Sequence, residues 1–213
     1  MTESKYTLCY IDESATEMAD FVGEMEPYFY LAEVPVKDSE PLDDLIERLK
    51  TTEFDYLVVD YHLNQDIRLE YDGDAVIRSF KSIFKDFPCM LLSSDGKGAV
   101  TQSEGVSADL VRDKSEVYES KNQDVVVERI NKSITQYKTR LANAEERYKQ
   151  LQEKKVLSSL TLEEEKEATE LNELLDESLD ASSPLVHIDI TNGDRLNDLI
   201  KKTDDLIKKI EEE

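Results

Sequence analysis

The chain of 213 residues has only two cysteines and two histidines, and it is short of positive charge. Cys9 and Cys89 each sit inside an apolar run that reads as a strand, where a free thiol behaves as a small buried hydrophobe, so a disulfide framework is not expected. His62 and His187 lack the cysteine or histidine companions that a zinc site needs. No apolar run is long enough to span a bilayer, and the start Met1-Thr2-Glu3-Ser4-Lys5 has no signal-peptide core, so a cytoplasmic protein is expected. Lys plus Arg number 26 against 49 Asp plus Glu, a formal net charge of -23. So acidic a surface repels the nucleic-acid backbone and anionic lipid alike, which leaves proteins and cations as the better partners.

What is present alternates between two periods. Thr7 to Ile11 is an apolar β-run, and Met18, Phe21, Val22 and Met25 then recur at helical spacing. Tyr28 to Val36 reads as a second strand. Pro41, with Ser39 as the expected cap, precedes a helical stripe of Leu42, Leu45, Ile46 and Leu49. Tyr56 to Val59 is a third strand ending at Asp60, and Val76, Ile77, Phe80, Ile83 and Phe84 mark a third helix. Pro88 opens a fourth strand, Cys89 to Leu92. Gly96 to Gly105 is glycine- and serine-rich, which predicts a short, mobile helix, and Asp109 to Arg112 is a brief fifth strand. This alternation predicts an α/β domain with a parallel sheet covered on both faces.

From about Val126 the texture changes. Ile130, Ile134, Tyr137, Leu141, Ala144, Tyr148 and Leu151 repeat with 4-3-4-3 spacing, the seam of a coiled coil or a long helical hairpin. Thr161 with Glu164 forms a capping box for a second acidic helix carrying Ala168, Leu171, Leu175 and Leu179. Leu185 to Ile190 could form a short strand, and Leu196, Leu199, Thr203, Leu206 and Ile210 a third amphipathic helix. The expected division is a first domain over 1–124, its last helix continuing to about 138, and a helical extension over 125–213. The extension either dimerises the chain or closes as an intramolecular antiparallel hairpin.

Acidic residues stand at the predicted ends of the apolar runs: Asp12-Glu13 after the first, Asp60 after the third. Strand carboxyl ends border the crevice of an open α/β sheet, so carboxylates delivered there from neighbouring strands would form a divalent-cation pocket. Further along, Asp72-Gly73 precedes the third helix, Ser93 ends Pro88-Cys89-Met90-Leu91-Leu92-Ser93, and Asp113-Lys114-Ser115 follows the fifth strand.

In this order the motifs resemble the receiver domain of two-component response regulators, the fold shared with the bacterial chemotaxis regulator, over roughly Lys5 to Lys138. The resemblance implies a flavodoxin-like, doubly wound, five-stranded parallel sheet of order 2-1-3-4-5, in which the strands of Cys9 and Cys89 are not neighbours. It implies Asp60 as phosphoacceptor and a Mg2+ site made by Asp12, Glu13, Asp60 and the backbone carbonyl of His62. Lys114 and Ser93 would contact phosphoryl oxygens. The implied partners are a histidine kinase or phosphotransfer protein and a downstream protein, and no enzymatic activity is implied beyond self-phosphorylation and autodephosphorylation. The chain departs from the family pattern in a longer loop between Asp60 and Gly73 without the common proline. It also has Val111, or Asp109 in the other register, where a switch aromatic often stands. Counting from Gly105 would set the basic residue at Arg112, whereas Asp-Lys-Ser favours Lys114, whose small mobile ammonium suits the role better than a guanidinium fork.

Two other classes bear on the same residues. One is a receiver-like scaffold that does not signal through phosphate, with the long helices as its working part. The other is an Asp-nucleophile hydrolase, which the chain argues against: neither the first nor the third strand end supplies the second acid that would serve as general acid.

Overall fold

The computed structural model describes residues 5–178 except 66, 96–97 and 99–104. The strands are β1 (Thr7–Ile11), β2 (Tyr30–Glu33), β3 (Tyr56–Asp60), β4 (Cys89–Ser93) and β5 (Val111–Asp113). They form one parallel sheet of order β2-β1-β3-β4-β5, as anticipated. Between them lie α1 (Ala15–Met25), α2 (Leu42–Lys50), α3 (Gly73–Ile83) and α4 (Lys114–Tyr118). Then come α5 (Ser120–Leu157) and α6 (Leu162–Asp176). The described residues form one compact unit.

Successive side chains on a strand point to opposite faces, so each apolar run feeds two cores. Cys9, Ile11, Leu57, Val59 and Leu91 join Leu45 and Leu49 of α2 and Val76, Ile77 and Phe80 of α3. Leu8, Tyr10, Val58, Met90 and Leu92 face the other way. They meet Phe21 and Met25 of α1, Val117 of α4, and Val126, Ile130 and Ile134 of α5. The central strands β3 and β4 are buried along their whole length, which is why their sequences are continuous rather than alternating. Cys9 and Cys89 are free and buried, and burial pushes the Cys9 thiol up to about 12.

Helix α5 is 38 residues long, about 57 Å at 1.5 Å per residue. It leaves the sheet core after Tyr137 and packs Leu141, Ala144, Tyr148 and Leu151 against Ala168 and Leu175 of α6. Arg147 pairs with Glu167 at 2.8 Å and Lys154 with Glu164, so the two helices run antiparallel. The turn is closed by the expected capping box of Thr161 and Glu164. The seam is therefore used within the chain.

Several expectations are corrected. Strand β2 is four residues rather than Tyr28 to Val36, because the Tyr28 and Phe29 amides close turns onto the Met25 carbonyl and the flanks do not pair with β1. Ser39 is not a cap: Pro41 occupies that position without a side-chain bond, and Ser39 adopts φ 59 in the turn before it. Strand β5 starts two residues late, since Ala108–Leu110 form a 3-10 turn. Leu179, the proposed strand Leu185 to Ile190 and the helix carrying Leu196 to Ile210 lie outside the described residues, as does most of Gly96 to Gly105. No described helix is long and apolar enough to cross a membrane.

Candidate functional site

The sheet register brings the chemistry-bearing residues to one edge. Ile11 pairs with Val59, so Asp12 and Glu13 leave β1 beside Asp60 at the end of β3. Asp60 pairs with Leu92 and Ser93 with Asp113, which sets Ser93 and Lys114 at the same end of the next two strands. Ser14 caps α1 by accepting from the Glu17 amide, leaving Asp12 and Glu13 free of capping duty. Asp113 caps α4 in the same way through the Ser115 amide, which fixes Lys114 as that helix's first residue.

Asp12 is 2% exposed and Asp60 5%. One oxygen each from Asp12, Glu13 and Asp60 lies within 4.8 Å of the others. Asp60 Oδ2 accepts from the His62 amide at 2.8 Å, and Asp60 Oδ1 lies 2.8 Å from Lys114 Nζ. That ammonium is also 3.1 Å from Glu17 Oε2 and 3.6 Å from Asp12 Oδ2. Arg112 is not the residue that reaches Asp60: its Nη1 donates to the Val111 carbonyl at 2.7 Å, and Val111 pairs with Leu91 at the start of β5. Ser93, 1% exposed, accepts the Asp95 amide at 3.1 Å.

Gly73 has a steric reason. A Cβ there would stand 1.8 Å from the Asp60 carbonyl oxygen, and the Gly73 amide donates to the Tyr61 carbonyl at 2.8 Å. Helix α3 thus abuts the acid-bearing strand end only because residue 73 has no side chain.

The electrostatics follow from three acids in a small volume. Burial, then the charges of Asp12 and Asp60, push Glu13 up to about 7. Burial raises Asp60, opposed by the hydrogen bond and charge of Lys114 and by the His62 amide. Burial also disfavours the Lys114 ammonium, but Asp60, Asp12 and Glu17 together outweigh it and hold lysine above its ordinary value. Glu13 Oε2 is buried with no hydrogen-bond partner. A hard oxygen-seeking cation would meet that orphaned atom and relieve the repulsion, so the donor set fits a divalent cation.

Sequence reasoning missed Tyr10 and Glu17. The Tyr10 hydroxyl donates to Asp12 Oδ2 at 2.6 Å while its ring stacks on Phe21 at 4.1 Å. Residues i and i+2 of a strand share a face, and that was the available signal for Tyr10. Glu17 had none, since its partner lies 97 residues away.

Sheet order, helical cover on both faces and acids at the strand ends define a flavodoxin-like receiver fold, and the similar solved structures are mostly response-regulator receiver domains. One is the signal receiver domain of an HD domain-containing protein from Pseudomonas fluorescens Pf-5. It has 12% identity over 66% of this chain and 96% of that one, with a TM-score of 0.50. A response regulator from Thermotoga maritima has 20% identity over 62% and 98%, with a TM-score of 0.42. The chemotaxis response regulator CheY4 of Vibrio cholerae has 11% identity over 60% and 99%, with a TM-score of 0.45. At these identities the likeness is one of fold. No protein-family model and no curated protein matches the sequence.

Proposed function

We propose that the chain is a cytoplasmic two-component phospho-receiver that accepts a phosphoryl group on Asp60 and signals to a protein partner through its helical extension. The observation that carries this reading is the set of three carboxylates whose oxygens lie within 4.8 Å of one another, with Lys114 Nζ 2.8 Å from Asp60 Oδ1. Asp60 Oδ1 would attack phosphorus, forming the new P–O bond as the donor's leaving group departs with the electrons of the old one. Lys114, released from its ion pair with Asp60, would hold a phosphoryl oxygen as a point charge, and the Ser93 hydroxyl would donate to another. Mg2+ bound by Asp12, Glu13, Asp60 and the His62 carbonyl would supply neutralisation of the phosphoryl charge.

The donor would be a histidine kinase or phosphotransfer protein, and no activity on another substrate is proposed beyond self-phosphorylation and autodephosphorylation. We assign 1–124 to the receiver and 125–213 to the extension. A shift of Ser93 and Lys114 toward phosphate would pull on the ends of β4 and β5 and so on the root of α5. Homodimerisation through the extension is a further proposal, one that requires residues outside the α5–α6 seam. Intact-mass measurement after acetyl phosphate and Mg2+ tests the central reading: one phosphoryl adduct is expected in wild type and none in Asp60→Asn. An unlabelled wild type would sink it.

A scaffold that does not use phosphate is the second reading, favoured by Val111 at the position where the resemblance implies a coupling aromatic. Partner binding unaltered in Asp60→Asn would support it.

A further inference from the structure

We infer that a groove at the root of the α5–α6 hairpin is a binding site for a small organic polyanion, one carrying phosphate or carboxylate groups and a flat apolar part. The groove has a volume of about 440 Å3, within the size range of small-ligand pockets. It lies away from the acid cluster, between the end of α3, the starts of β4 and β5, and the middle of α5.

Its charge runs against that of the whole chain. Among the described lining residues, Lys81, Arg112, Arg129 and Arg140 stand against two carboxylates, Asp86 and Asp109, in a protein of net charge -23. The carboxylates only partly neutralise the cations. Arg140 pairs with Asp86 at 2.9 Å, and Arg129 reaches Glu116 at a long 3.5 Å. Arg112 and Lys81 form no ion pair among the described residues, and the half-buried guanidinium of Arg112 donates to its own strand's Val111 carbonyl. The Asp109 carboxylate acts on both Arg112 and Lys81 but from beyond ion-pair distance, so a guanidinium taken partly out of water is balanced only in part, and an anion in the groove would offset the remaining cost. Three arginines from two elements also offer forked donors, which match phosphate and carboxylate oxygens two at a time.

The walls supply the apolar part. Phe87 and Tyr137 meet edge to face with centroids 5.4 Å apart, and Tyr56 lies on the floor beside Arg112 and Arg129. The concave, three-sided form favours a compact ligand over an extended acidic peptide, which needs a long open track. A ligand here would tie β5 and α3 to the stretch of α5 where that helix leaves the sheet.

The test is isothermal titration of the full chain with pyrophosphate, and separately with ADP, in EDTA so that no divalent cation bridges polyanion and acid cluster. Saturable binding is expected in wild type, tighter for ADP than for pyrophosphate, and weakening as salt rises. Arg112→Gln with Arg129→Gln should weaken it at least about ten-fold, as loss of charge-assisted hydrogen bonds predicts. Arg112→Lys should fall between, and Asp60→Asn should bind as wild type does. The melting temperature of each variant establishes that it is folded. No saturable binding in wild type, equal affinity in the folded double variant, or loss of binding in Asp60→Asn would each overturn the inference, as would tighter capture of an acidic peptide than of ADP. None of these outcomes depends on whether Asp60 accepts phosphate.

Discussion

One helix supports two unlike halves of the molecule. The first part of α5 lays Val126, Ile130 and Ile134 on a sheet face already filled by Phe21, Met25 and Phe29. The second part lays Leu141, Ala144, Tyr148 and Leu151 on α6 alone, where the buried partners are Ala168 and Leu175. From Ile130 onward the stripe keeps its 4-3 repeat across both halves, yet the first core is two-layered and aromatic and the second is a thin strip. Tyr148 adds a buried hydroxyl without a hydrogen-bond partner to that strip. A seam repeat therefore specifies that a face will be covered, but the depth of the cover comes from what the partner brings. We expect the sheet half to set the global stability and the hairpin to open at lower free energy.

The hardest blow to that comparison would come from the core of the sheet. Phe80 is fully buried among Phe54, Phe84 and Phe87, with centroids 4.9 to 6.1 Å away. Phe80→Ala should cost about 3–5 kcal/mol and lower the melting temperature by on the order of 10 °C, read by circular dichroism. No protection should survive in the α5–α6 hairpin once the sheet has melted. If the α5–α6 hairpin kept its protection after the sheet had melted, the hairpin would be the more stable half.

Leu151→Ala removes a smaller piece from the thinner core, at about 2–4 kcal/mol. Hydrogen exchange should show faster exchange across 141–176 with β1, β3 and β4 unchanged. Equal loss of protection in the central strands would mean that the two halves form one cooperative unit.

The acid cluster gives a pH-dependent effect confined to the sheet half. Glu13 is raised by the fold from its ordinary value of 4.5 to about 7. The fold thus favours the protonated form, so the contribution to stability is full below pH 4.5 and is lost as pH rises through about 7. In chelator, wild type should lose stability relative to Glu13→Gln between pH 5 and pH 8, measured by thermal melts of both proteins. With Mg2+ at pH 8 the order should invert, because the ionised carboxylate then has a cation to meet. Parallel pH curves for the two proteins would remove Glu13 from the cluster's electrostatics.

Much of this was legible in the sequence, for identifiable reasons. Strands buried on both faces write continuous apolar runs, so β1, β3 and β4 and the acids that end them could be read directly. The α5 seam and the Thr161 capping box are local patterns and were read for the same reason. Strand β2 was overdrawn because an edge strand is half exposed and its apolar residues extend past its hydrogen bonds. The choice between Lys114 and Arg112 depended on where β5 starts, and a 3-10 turn shifted it by two residues. Asp72-Gly73 could be matched as a motif, but the close approach of α3 to the Asp60 carbonyl exists only in three dimensions. The groove cations come from α3, β5 and α5, and no local pattern links them.

The finest comparison lies within the hairpin, between its cap and its surface ion pairs. Thr161 Oγ1 accepts the Glu164 amide while Glu164 Oε2 accepts the Thr161 amide, so two orphan donors of the first turn of α6 are satisfied. Thr161→Ala should cost about 1 kcal/mol. Arg147 and Glu167 form a two-pronged pair at 2.8 Å, but both side chains are exposed. Water and salt screen such a pair, so Arg147→Ala should cost only about 0.2–1 kcal/mol, with the loss shrinking as salt is added. Hydrogen exchange of the first turn of α6 separates the two, because cap loss should raise exchange there at any ionic strength. If Arg147→Ala proved the more damaging change in high salt, its aliphatic stem would be packing against α6, and the hairpin core would extend beyond the apolar seam.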